Sequence, residues 1–111
     1  MTEHFVRPDV AGFLAFLNGQ EGPKLHELPI AEGRATMMAM RHVADADIGT
    51  LAVKKDIAIP GPSGIIPARL YDARSDRAPG PVMVFYHGGG FVIGNLDTHE
   101  PYCAEAARQL D

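Results

Sequence analysis

Apolar residues change period several times along this chain, and each period predicts an element. Val10, Phe13, Leu14 and Leu17 stand at i, i+3, i+4 and i+7, the spacing of one helix face, so a helix is expected over residues 9–18. Asp9 follows Pro8 and is placed to cap its start, and Asn18–Gly19 marks its end. A second helix is expected from Pro29 to about Val43, with Pro29 near the first turn, where a missing N–H costs little. One side of it carries Met37, Met38 and Met40. Methionine fills irregular core gaps, and it also lines adaptable apolar pockets, so the stripe has two readings. From Thr50 the period drops to two. Val53, Lys55, Ile57 and Ile59 alternate with Lys54, Asp56 and Ala58, a strand with one apolar face interrupted at Lys55. Pro60–Gly64 is a turn, and Ile65–Tyr71 reads as a second strand that Pro67 confines to an edge or a bulge. Together they predict an antiparallel hairpin, followed by a polar surface loop over Asp72–Gly80.

Pro81–Tyr86 differs in kind. It is apolar without alternation, as expected of a strand covered on both faces in a parallel sheet. His87-Gly88-Gly89-Gly90 follows at once, then Phe91–Gly94. Asp97 with Glu100 three residues on forms an Asp variant of the capping box, so a last helix is expected from there to the end of the chain. Its apolar face would carry Tyr102, Ala106 and Leu110, with Cys103 and Ala107 beside them.

Three consecutive glycines after a buried strand need a cause, because each costs ordering entropy. They permit positive φ and let another molecule approach the backbone. Two phosphate-loop patterns are tested by spacing. G-x-G-x-x-G fails, because Ile93 stands where the third glycine belongs. G-x-x-x-x-G fits Gly89 to Gly94, but Asn95-Leu96 occupies the place of Lys-Ser/Thr. The remaining reading is an oxyanion hole of the HGGG type, in the loop after a central strand.

The stretch PVMVFYHGGGFVIGNLD, Pro81–Asp97, resembles the hormone-sensitive-lipase-like branch of the α/β-hydrolase family. The upstream order resembles it too: two helices, a hairpin through IPGPSGIIPARLY, then the HGGG strand. The resemblance implies an α/β class fold, specifically the N-terminal part of an α/β-hydrolase. Residues 1–45 would form cap helices and residues 46–111 the first part of the core. It further implies ester hydrolysis by a Ser–Asp/Glu–His triad, with the N–H groups of Gly88 and Gly89 stabilising the oxyanion. Gly90 would allow the loop its path and His87 would brace it. As part of the cap and the loop, Phe13, Met37, Met40 and Phe91 would contact the substrate.

The departure from the family pattern is plain. No G-x-S-x-G occurs, and the serines, Ser63 and Ser75, lie in loops without that context. The nucleophile, the acid and the triad histidine are expected downstream of Asp111, as is the strand that would lie between the second and third strands of the sheet. His87 precedes the glycines and is not the triad base. The expected function is therefore the N-terminal portion of a carboxylesterase acting on short-to-medium acyl esters. The alternatives are a receptor-like member of the fold that binds a small ligand without hydrolysis, and a non-catalytic fragment whose glycines only make a turn.

Composition narrows the partners. With 10 Lys and Arg against 14 Asp and Glu in 111 residues, the chain carries a formal charge of −4 and a pI near 5.6, which disfavours nucleic acid and anionic membrane surfaces. Apolar content of 46% and charged content of 22% exclude intrinsic disorder. The one cysteine, Cys103, cannot form an internal disulfide and reads as a small buried hydrophobe. His4, His26, His42 and His99 show no ligand spacing, so no metal and no cofactor are expected. MTEHFVRPDV lacks the basic and apolar regions of a secretory signal, and no apolar run approaches membrane-helix length, so a cytoplasmic protein is expected. The expected partners are a small ester substrate, the remainder of the same polypeptide and a second copy in a homodimer.

Overall fold

Breakers set the first helix. In the computed structural model, which describes residues 4–43 and 45–111, α1 spans Pro8–Asn18 with Pro8 at its first position and Gly19 as its C-cap. Of the segment 1–45 expected to form a cap, residues 1–3 and Ala44 lie outside the described residues. Asp9 is not the cap: Arg7 holds that position, and Asp9 sits in the first turn, paired with Arg7 at 2.5 Å. There its charge suits the positive end of the helix dipole, and the hydrogen bond from Arg7 holds its carboxyl below the usual range. No residue of α1 is buried, and α1 packs on no other helix or strand among the described residues.

A 3₁₀ turn at Leu25–Glu27 leads into α2, Ile30–Met40. Pro29 is its N-cap rather than its first residue. The helix stops short of the expected Val43, because the Arg41 guanidinium takes up the Met38 carbonyl and Val43 N–H closes a turn on Met40. Gly33 is the buried position of α2 and faces Leu25.

The hairpin forms as expected and runs longer. β1, Val53–Gly61, pairs antiparallel with β2, Gly64–Asp72, in a register from Val53↔Asp72 to Gly61↔Gly64. Pro60 and Pro67 are tolerated because each strand of a two-stranded sheet has a free side that needs no N–H. The register puts Ile57, Ile59, Ile66 and Leu70 on one face and Lys54, Asp56 and Arg69 on the other. The polar face is the one that packs. α3, Glu100–Leu110, docks on β2 through charge, while the isoleucine face stays exposed.

Three expectations are corrected here. Pro81–Tyr86 is not a strand, and it is not buried: Val82 is 78% exposed and Val84 67%. A strand is defined by its pairing, and among the described residues only β1 and β2 pair. Asp97 is not the N-cap of α3; His99 is, without a side-chain cap bond. The buried face of α3 is Glu100, Pro101 and Ala104, whereas Tyr102 and Leu110 are exposed and Cys103 is only half-buried. The cause is Arg69, whose guanidinium draws Glu100 inward.

The residues make an open shape. The Cα radius of gyration is 17.5 Å, against about 13 Å for a compact domain of this length. The accessible surface of 9007 Å² exceeds the roughly 5,900 Å² of a folded monomer of this mass. Ala104 is the core hydrophobe among the described residues.

Candidate functional site

The site is built where the chain leaves Tyr86 and reverses before α3. Gly89 accepts hydrogen bonds from the N–H groups of both Val92 and Ile93, each at 3.0 Å, which closes a tight turn. Its central residues, Gly90 and Phe91, have φ of 60° and 61°. Positive φ at both central positions is the mark of a primed turn. Glycine adopts it freely, but in phenylalanine it stores about 1–3 kcal/mol of strain. The Phe91 ring is fully exposed.

Gly89 itself has φ of 131°, and a Cβ there would lie 1.8 Å from the Ile93 carbonyl oxygen. Gly94 closes the loop from the far side: a Cβ on it would fall 2.8 Å from the Gly88 carbonyl oxygen and 3.0 Å from His87 Nδ1. Gly88 and Gly90 have open space around them. His87 holds Nδ1 2.7 Å from the Gly88 carbonyl, so its Nδ1–H tautomer donates there. Among the described residues, the N–H groups of Gly88, Gly89 and Gly90 donate to no protein acceptor. Adjacent N–H groups free on a bent loop are what an anionic oxygen binds.

Behind the loop stands a ring cluster. His87 and His99 stack at 5.1 Å, and Phe85 lies 4.9 Å from Tyr102 and 6.1 Å from His99. Asn95 shapes the entry to α3, its Oδ1 accepting from the N–H groups of Asp97 and Thr98 at 2.9 Å. This does the work that the sequence assigned to Asp97. Asp97 instead receives Arg69 Nη1 at 2.8 Å, and the same nitrogen donates to Glu100 at 2.9 Å. Arg69 also forks onto Asp56, whose carboxyl it holds below the usual range. The other Glu100 oxygen lies 2.6 Å from Lys54 Nζ. Five charged groups thus bolt the hairpin to the start of α3 and fix the loop's exit. Burial, then the Glu100 charge, push the Cys103 thiol up, which keeps it a neutral thiol.

The expected substrate contacts are spread out. Phe13 is on α1 and stacks on Phe16 at 6.5 Å. Met37 is half-buried on α2 and Met40 is exposed at the helix end. The α2 residues that reach the loop are Arg34, which the sequence did not single out, and Met38, which it placed only in the methionine stripe. Arg34 Nε donates to the Val92 carbonyl at 2.6 Å, and Asn95 Nδ2 donates to Met38 Sδ at 3.3 Å. Gly94 was visible in the sequence only as the failed end of a phosphate loop. Arg34, 58 residues from its partner, left no local signal. Among the described residues, no three His, Cys, Asp or Glu side chains converge to hold a metal ion, and no helix is long and apolar enough to cross a membrane.

The loop is thus a glycine turn with unengaged N–H groups among the described residues, entered from an apolar segment and left through a helix. Residues 83–111 of the chain match the family model described as the alpha/beta hydrolase fold. Among individual proteins, the chain is 50% identical over 56 residues to the carboxylic ester hydrolase LipN of Mycobacterium tuberculosis, covering 50% of this chain and 15% of LipN. In structure it is similar to an ester hydrolase from the metagenome of Lake Arreo, solved with a bipyridine phosphonate derivative. That match has a TM-score of 0.80 and 32% identity, over 93% of this chain and 34% of the other. An esterase from the archaeon Pyrobaculum calidifontis matches with a TM-score of 0.74 and 29% identity, over 92% of this chain and 33% of the other. The chain thus spans about a third or less of the length of these relatives.

Proposed function

We propose that this chain supplies the oxyanion-binding side of a carboxylic ester hydrolase active site. The observation that carries the reading is the pair of unengaged N–H groups at Gly88 and Gly89, on a loop that tolerates no side chain at Gly89. When a nucleophile adds to an ester carbonyl, the carbonyl oxygen gains a full negative charge. Two N–H groups already fixed by the turn bind that charge without reorganising. His87 and Gly94 hold the turn shut, and Gly90 gives it its path.

The nucleophile, the acid and the base come from the remainder of the same polypeptide, since Ser63 and Ser75 lie in the hairpin turn and the following loop. α1 and α2 form part of a cap. Support for this is that α1 packs on no other helix or strand among the described residues, while α2 reaches the loop through Arg34 and Met38. Phe91, exposed and strained at the loop apex, meets the bound ester together with Phe13, Met37 and Met40. The named relatives are ester hydrolases, which favours hydrolysis over ligand holding.

Turnover of p-nitrophenyl acetate and butyrate by the full-length polypeptide tests the proposal. Hydrolysis abolished by a covalent organophosphonate is expected, with none from residues 1–111 alone. A folded full-length protein that binds these esters but never turns them over would refute it.

A further inference from the structure

We propose that Arg34 is a positioning residue that holds the oxyanion loop in its donating shape from the cap side; the inference rests on reading Gly88 and Gly89 as the oxyanion donors. The peptide unit between Val92 and Ile93 is gripped from two directions. Its N–H, that of Ile93, donates to the Gly89 carbonyl at 3.0 Å. Its carbonyl, that of Val92, accepts from Arg34 Nε at 2.6 Å. The Val92 N–H also closes on Gly89, so a pull on this segment is a pull on Gly89.

The turn needs such a hold. Phe91 sits at φ 61°, and a strained non-glycine residue persists only where its surroundings over-determine it. Within the loop the restraints are the two bonds to the Gly89 carbonyl and the contact of Gly94 with Gly88. Arg34 adds one from outside. Met38 stands four residues on, on the same helix face, and its sulfur receives Asn95 Nδ2 at 3.3 Å. One face of α2 therefore holds the loop at Val92 and at Asn95. Met40, by contrast, is turned about 120° around the helix from Arg34. Arg34 itself grips the Val92 carbonyl of the loop, so the Arg34 effect is expected in catalysis rather than in substrate affinity.

The test uses the full-length protein with Arg34→Ala, Arg34→Lys and Arg34→Met, beside Gly89→Ala as the control for the site itself. Arg34→Ala is expected to lower kcat roughly ten- to hundredfold, the scale of a displaced catalytic group. KM should stay within about twofold. Amide hydrogen exchange at Val92 and Ile93 should quicken, a readout independent of activity. Arg34→Lys, which keeps a donor, should restore most of kcat, and Arg34→Met, which keeps the stem alone, should not. These two linear side chains keep helix propensity and carry the test if Arg34→Ala folds poorly. Wild-type kcat and exchange in all three variants, with Gly89→Ala inactive, would overturn the role of Arg34 and leave the oxyanion reading standing. Full activity of Gly89→Ala as well would overturn both. Equal losses in the Lys and Met variants with unchanged exchange would reduce Arg34 to a structural residue.

Discussion

Adding one methyl group at Gly89 is the sharpest perturbation the loop offers. The new Cβ would lie 1.8 Å from the Ile93 carbonyl oxygen and 2.7 Å from its carbon. Non-bonded heavy atoms settle near about 3.5 Å, so one side of the turn must retreat by well over an ångström. The φ of 131° also lies where a side chain is resisted. A shift of about 1 Å in a positioned group costs on the order of 10² in rate, and losing an oxyanion donor costs about 10²–10³. Gly89→Ala in the full-length protein is therefore expected to lower kcat by at least about a hundredfold. KM should change little, because the donors act on a charge that exists only in the transition state. Gly90→Ala is the matched control. Its Cβ would meet open space, so only the left-handed backbone is penalised, by about 1–2 kcal/mol. It should retain most of its turnover. Circular dichroism checks the fold, and steady-state kinetics on p-nitrophenyl butyrate separates kcat from KM. A folded Gly89→Ala variant with kcat near wild type would refute the reasoning.

Arg69→Met is expected to destabilise the full-length protein by about 1–3 kcal/mol, because it leaves the buried Glu100 to Lys54 alone and unfastens Asp56 and Asp97; the absence of any loss in chemical denaturation would count against the bolt. Asp72 should titrate at about 2 rather than 3.8, held down first by Arg77 and then by the Arg74 N–H. Since the folded value is the lower one, its stabilisation is complete above 3.8 and is lost as pH falls through about 2. Carboxyl NMR would show this, and a midpoint near 3.8 would contradict it. Met37→Ala and Met40→Ala should alter acyl-length preference more than melting temperature; a large melting loss with unchanged preference would return both to plain packing.

What the sequence made legible was what short-range physics decides. The alternation from Val53 to Ile59, the Pro60–Gly64 turn and the run to Tyr71 fixed the hairpin almost to the residue. The glycine loop was legible because three adjacent glycines have few other uses. The larger misreadings involve partners distant in sequence. Pro81–Tyr86 has the composition of a buried strand, yet pairing is a property of two segments and no second one reaches it among the described residues. The hydrophobic pattern of α3 pointed to Tyr102 and Leu110, but the charges of Arg69 and Lys54 turned the Glu100 face inward. Asp97 looked like a helix cap until Arg69, 28 residues away, claimed its carboxylate. Arg34 carries no periodic or local signature at all.

The most direct measurement follows the Gly88 and Gly89 amide protons by NMR in glycine-labelled full-length protein, before and after reaction with a covalent phosphonate. The phosphonyl oxygen of the adduct takes the place of the ester oxyanion. Both amide resonances are expected to move strongly downfield as their N–H groups donate to that oxygen, while Gly61 and Gly64 at the hairpin tip stay put. A fully formed adduct that leaves Gly88 and Gly89 unmoved would contradict the oxyanion role of this loop.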